Sequence, residues 1–306
     1  MLNKKIWRWI AALALLSMAA AAQEPGQKTF ASPAEAAQAL YNAGKANDSS
    51  ALAAVLGSSS GDILSSGDPV QDNNARENFV AKFEQMNRIG KEADGSLILY
   101  IGADNWPFPV SLKQANGQWY FDTVSGKQEI LFRRIGKNEY AAMRVISALA
   151  DAQLDYHERF SQYTDKWVSS EGQQDGLYWK AVEGQPESPI GPLVAHAAAE
   201  GYANSVHPEP FHGYLFRMLT AQGGNAKGGA KSYVVSGKMT SGFAFVAYPA
   251  DYQSSGVMTF LIDQDGVIYE KDLGAATADV ATTVTIFNPD KTWTQVPADE
   301  AQADAE

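Results

Sequence analysis

The chain of 306 residues contains no cysteine. That excludes disulfide staples, thiolate metal sites, cysteine nucleophiles and a lipid anchored on cysteine after an export signal. Charge is sparse, at 19% of residues, and unbalanced: 24 Lys and Arg against 35 Asp and Glu leave a net charge of −11 at pH 7. An acidic chain lacks the attraction on which binding to nucleic acid or anionic lipid rests, so neither is an expected partner. Histidine is scarce, with four in all. Beyond the N-terminus no apolar run approaches the roughly 20 residues that a membrane-spanning helix needs.

What is present starts with an export signature. "MLNKKIWRWIAALALLSMAAAA" carries Lys4, Lys5 and Arg8, then an apolar run from Ile10 to Met18, then small residues that predict cleavage near Ala22. Cleavage takes away three positive charges and no negative one, so the mature chain carries −14. The expected location is the periplasm, with no stable membrane insertion once the signal is removed. The expected organisation is a signal peptide at 1–22, a linker at 23–30, an α+β unit at 31–125, a second α+β unit at 126–290, and an acidic disordered tail at 291–306.

The first unit opens with Ser32 as a helix cap, Pro33 at the first helical position and Glu35 three residues after the cap. "GKAND" breaks this helix before a second, Ser49 to Leu56, and "DNNARENFVAKFEQMNRI" predicts a third. Period-two strands follow in "GSLILYIG", "FPVSLKQ" and "QWYFDTV", and Asn116-Gly117 predicts a tight hairpin between the last two. Helices followed by an antiparallel meander resemble the cone of nuclear transport factor 2-like domains. In the second unit a long helix is expected over 126–162, with Met143, Ile146, Ala150 and Leu154 as its apolar stripe and Gly136 as a point where it can divide. A Gly- and Pro-rich loop region and an antiparallel sheet follow it. A helical spine laid on a small sheet resembles the globular heads of pilins and pseudopilins, without their exposed N-terminal polymerising helix.

Residues 28–290 as a whole resemble one family of exported Gram-negative proteins, the domain of unknown function 2950 family. "DGLYW", "SPIGPLVAHAAAEGY", "PFHGYLFRMLTAQGGNAKGGA", "GFAFVAYPADYQSSGVMTF" and "DQDGVIYEKDLG" carry the resemblance. It implies an envelope location and no particular reaction.

Motifs with chemical potential are few. Asp263-Gln264-Asp265-Gly266 has a glycine at position 4 of a would-be calcium loop and Gly274 at position 12, where such a loop needs a bidentate glutamate. It reads as a hairpin corner. "GGNAKGGAKS" misses the phosphate-loop pattern because Ala230 separates Gly229 from Lys231-Ser232, and it reads as a flexible loop. "HPEPFH" offers His207, Glu209 and His212, but its prolines prevent helical presentation and the spacing fits no zinc signature. Neither metal nor cofactor is expected. Nucleophilic catalysis has no Ser-x-x-Lys pair or cysteine to draw on, and the carboxylates read as solvated surface. Aromatics on Pro-rich loops are the remaining candidates: Trp106 and Phe108 in "DNWPFPV", Tyr178 and Trp179 in "DGLYW", and Phe211, His212 and Tyr214 after His207. Such rings either form a contact platform or fill the space between helix and sheet. The expected function is a non-catalytic binding or assembly accessory whose partner is an envelope protein or polymer. The alternative is a hydrolase of envelope polymers with its site in the first-unit cone or at the junction of the units.

Overall fold

The structure, a computed structural model, describes residues 23–93, 95–200, 202 and 209–298. The predicted signal segment and the end of the acidic tail lie outside them, as does His207.

Helix α1 (Pro33–Lys45) begins as its sequence predicts. Ser32 Oγ accepts the Glu35 N–H at 3.2 Å, and Glu35 Oε2 accepts the Ala31 N–H in return. Helices α2 (Ser49–Leu56), α3 (Gly61–Leu64) and α4 (Pro69–Gln85) follow, joined by a short 3₁₀ turn at Ser58–Ser60. They pack on a five-stranded antiparallel sheet of β1 (Asn87–Lys91), β2 (Leu97–Ile101), β3 (Trp106–Pro107), β4 (Leu112–Ala115) and β5 (Gln118–Phe121), ordered β1-β2-β4-β5 with β3 against β2. Ala36, Leu40, Leu52, Val55 and Leu56 bury against Val110, Leu112 and Phe121, while Phe83 and Ala37 bury against Leu99 and Ile101. The hairpin between β4 and β5 turns on Asn116 and Gly117, both at positive φ (51° and 76°).

Two boundaries differ from the sequence reading. The third long helix starts at Pro69 under an Asp68 cap, and it ends at Gln85. Met86 is already extended (φ −165°), so Asn87 to Ile89, expected to continue the helix, instead open the edge strand β1 (Asn87–Lys91).

Helix α5 (Thr123–Phe160) has 38 residues and, at 1.5 Å per residue, a length of about 57 Å. It runs through Gly136 without a break. Its first turns belong to the first unit, where Ile130 packs on that core. From Ala142 to Tyr156 it packs on the second core, against the sheet ordered β14-β13-β12-β11-β6. Every strand in that sheet is antiparallel: β6 (Tyr214–Leu219), β11 (Ala244–Pro249), β12 (Met258–Asp263), β13 (Tyr269–Asp272) and β14 (Thr294–Gln295). Because β14 and the buried Val296 complete this sheet, the ordered unit runs past residue 290. Short strands β7 (Ala221–Gln222) and β8 (Lys231–Ser232) flank the glycine-rich loop, and β9 (Val234–Val235) and β10 (Lys238–Met239) form a small hairpin.

Phe245, Val246 and Ala247 of the interior strand β11 are fully buried, since α5 and α7 (Thr277–Thr283) both lie against that strand. The Arg217 guanidinium of β6 ties α7 down by donating to the carbonyls of Ala281, Thr282 and Val284 at its C-terminal end. Asp263–Gly266 is a corner, as predicted: Asp263 Oδ1 accepts the Asp265 N–H at 3.0 Å and Gly266 takes φ +72°.

Candidate functional site

Polar side chains concentrate where the two units meet along α5. Asp68, 1% exposed, caps α4 by accepting the Gln71 N–H on Oδ1 at 3.0 Å. Its Oδ2 reaches the second unit, accepting the Tyr202 hydroxyl at 2.8 Å and the Gly213 N–H at 3.0 Å. The Tyr202 oxygen in turn accepts the His212 N–H at 3.2 Å. One turn along α5 from Arg134, Asn138 donates to the Ser255 carbonyl at 2.8 Å and accepts from Gln71 Nε2 at 2.6 Å. Arg134 donates to the Asp62 and Ile63 carbonyls at 2.8 and 2.7 Å. Glu139 Oε1 accepts the N–H groups of Val257 and Met258, both at 3.0 Å. Three segments of the second unit thus hang from side chains of α4 and α5.

Backbone geometry at residues 212 and 213 makes this possible. His212 and Gly213 both take positive φ (51° and 73°), which turns the Gly213 N–H toward Asp68. A Cβ on Gly213 would stand 2.5 Å from Asn138 Nδ2 and 2.9 Å from Ser255 Cβ, so glycine is required for space as well as for backbone angle.

Beside this clasp, His212 Nε2 stands 3.2 Å from Glu200 Oε2, and His196, on helix α6 (Gly191–Ala199), stands 3.4 Å from the other oxygen. Burial holds the His212 imidazole below its ordinary range, and nearby Glu200 only partly offsets this. Burial together with the Asp68 carboxylate pushes the Tyr202 phenol well above the usual tyrosine range, so it donates rather than acting as a base. Burial also raises Glu139, against the two backbone N–H groups that favour its charge. Among the described residues no group of three His, Asp or Glu stands arranged to hold a metal ion.

Of the eight candidate residues, His207 lies outside the described residues and the other seven fall in three places. Trp106 and Phe108 are half-buried in the first unit, where Phe108 packs edge-on to Phe121 and the Arg133 guanidinium lies 5.9 Å from the Trp106 ring. Tyr178 and Trp179 pack on the second core; Trp179 is 8% exposed and its Nε1 donates to the Pro186 carbonyl at 3.0 Å. Phe211, His212 and Tyr214 meet at the junction, with Tyr202 edge-on to Phe211 at 4.8 Å and the buried Tyr214 hydroxyl donating to the Met258 carbonyl.

The carboxylates expected at the solvated surface supply the correction. Asp68, Asp122 and Asp263 are buried and Glu139 is half-buried, each taken up by backbone N–H groups or, for Asp122, also by Lys113 at 2.7 Å. Asp68 had a readable signal, a cap residue before a proline. Asn138 did too, as a polar letter in line with Ala142, Val145 and Leu149 on the buried stripe of α5. Gly57-Ser58-Ser59-Ser60-Gly61 spells Gly-x-Ser-x-Gly around Ser59. A nucleophile elbow needs a strand before and a helix after the serine. Here the run leaves α2 in a 3₁₀ turn, and the Ser59 hydroxyl and N–H both bond Glu24.

These features define an α+β protein with two five-stranded sheets whose halves are joined by one shared helix and a buried polar clasp. Residues 27–296 match the family described as Protein of unknown function (DUF2950), and the chain belongs to that family. No curated protein and no solved structure matches it.

Proposed function

We propose that this protein is an exported, non-catalytic accessory of the cell envelope that works by binding a protein or polymer partner through its surface. The reading places it in the periplasm after cleavage near Ala22, on the strength of the basic, apolar and small-residue segments of the N-terminus. One observation carries the functional part. Side chains fill the space between the helices and the first sheet, with Leu99, Ile101, Val110, Leu112 and Phe121 at most 1% exposed. A likeness to nuclear transport factor 2-like cones in the first unit and to pilin heads in the second belongs to the same proposal, and rests on element order. Crosslinking in the periplasm followed by purification of the tagged protein tests it: one recurrent envelope partner supports the role, and recovery at background level refutes it.

A second reading, an envelope-polymer hydrolase, is favoured by the facing of His212 and Glu200 at the junction. On that reading His212→Ala abolishes polymer cleavage in a soluble, folded variant, whereas an accessory keeps its partner after the same change.

A further inference from the structure

The first sheet ends on a strand that the sequence hid. Register pairs Asn87 with Ile101, Ile89 with Leu99 and Lys91 with Leu97. The Gly102 N–H to Met86 carbonyl and Glu92 N–H to Ser96 carbonyl bonds place the even-numbered residues of β1 in the hydrogen-bonded pairs. Alternation then turns the N–H and C=O groups of Asn87, Ile89 and Lys91 away from β2. Among the described residues no strand pairs with that outer edge. Alongside it runs a groove of about 360 Å³ between β1 and α1, floored by Ala37, Phe83, Ile89 and Leu99. The alanines of α1 leave the room, and apolar side chains line it next to unpaired backbone groups.

Charge selects the occupant. The strand reads Asn-Arg-Ile-Gly-Lys, with two cations and no anion on a chain of net charge −11. Arg88 lies over the Tyr100 ring at 4.2 Å and lines the groove, and Lys91 is exposed. Neighbouring acids are engaged: Glu92 accepts the Tyr100 hydroxyl, and Glu84 is paired with Lys45. A second copy laid on this edge would bring Arg88 and Lys91 of both strands, four cations, onto one ladder, which like-charge repulsion disfavours.

We infer that the outer edge of β1 receives an extended, acidic segment of a partner polypeptide as an added strand, with alternate apolar side chains entering the groove beside α1. The inference deepens the binding reading above and rests on it.

Synthetic decapeptides alternating valine with glutamate, or valine with lysine, test it against the mature chain by fluorescence anisotropy, with hydrogen exchange locating the contact. The acidic peptide is expected to bind and to slow exchange of the Asn87, Ile89 and Lys91 amides. Arg88→Glu with Lys91→Glu is expected to weaken it roughly tenfold, two rim ion pairs becoming repulsions. Lys91→Glu alone, which leaves the Arg88–Tyr100 stack in place, is expected to weaken it by a few-fold. Equal affinity for the basic peptide, protection elsewhere, or no binding at millimolar peptide would overturn the inference. So would a dimer in sedimentation that the double variant abolishes, since the edge would then serve self-pairing. If the double variant still crosslinks to the wild-type envelope partner, the edge-strand inference falls and the accessory role stands; if wild type crosslinks to nothing, the accessory role itself falls.

Discussion

Replacing Asp68 by alanine removes one carboxylate from three donors at once. The Gln71 N–H loses its cap, which costs about 1 kcal/mol in a helix of this kind. The Tyr202 hydroxyl and the Gly213 N–H lose their acceptor at a site that is 1% exposed, and each unsatisfied buried donor costs about 1–2 kcal/mol. The expected loss is therefore about 3–5 kcal/mol, a large share of the stability of an ordinary domain. Tyr202→Phe keeps the other two donors on Asp68 and strands only the His212 N–H, so about 1–2 kcal/mol is expected. Asp68→Asn falls between, because its amide can still cap α4 while turning N–H groups toward the Gly213 N–H. Urea unfolding followed by far-ultraviolet circular dichroism measures all three, and the double variant Asp68→Ala/Tyr202→Phe should lose less than the two singles together. Since the bonds cross from α4 to the start of β6, Asp68→Ala should also separate the unfolding of the two units. Trp106 and Trp119 fluoresce from the first, and Trp167, Trp179 and Trp293 from the second. A loss below 1 kcal/mol, or additive singles, would show that the clasp is not formed and would refute the account of the junction.

Other perturbations follow from the same geometry. Gly213→Ala places a methyl 2.5 Å from Asn138 Nδ2 at φ +73°, and a loss of about 3 kcal/mol or more is expected by denaturant titration, or no soluble protein at all. Glu139→Gln keeps an oxygen for the Val257 and Met258 N–H groups without the half-buried charge, so stability at neutral pH should hold or rise. Glu139→Ala strands both donors and should cost about 2 kcal/mol. Because burial holds the folded His212 below its ordinary 6.5, the unfolded chain takes up that proton first, and the His212 contribution to stability falls as pH drops below about 6.5. Glu200, Lys137, Asp68 and His196 also act on this ring, so the measurement is the difference between wild type and His212→Gln across pH 7 to 5. The gap should narrow toward acid if the sign is right. Trp179→Phe removes the bond to the Pro186 carbonyl from a buried ring and should cost about 1–2 kcal/mol by thermal unfolding, whereas a contact platform would show no loss.

How far the sequence reached depends on the range of each interaction. Ser32-Pro33 and Asn116-Gly117 act within three or four residues, and both appear where their letters place them. Strand β1 was hidden because its alternation is short and joins a helical run without a break; only the extended Met86 separates them. The stripe of α5 shows the next limit. Leu154 fits helical spacing from Ala150, yet it is 44% exposed and Gln153 is buried instead. Gln153 belongs inside because its amide bonds both the N–H and the carbonyl of Thr164, as a neighbouring strand would. A polar residue is buried wherever a distant backbone supplies its partners, and hydropathy along one helix cannot see that backbone. Asp68 and Gly213 lie 145 residues apart. Their pairing depends on β6, the turn at His212 and the cap of α4 together, so the cap was readable as local chemistry while its second role was not. The same reasoning makes the junction the part of the molecule most sensitive to single substitutions, because Asp68, Asn138 and Tyr202 each bond groups from both units at once.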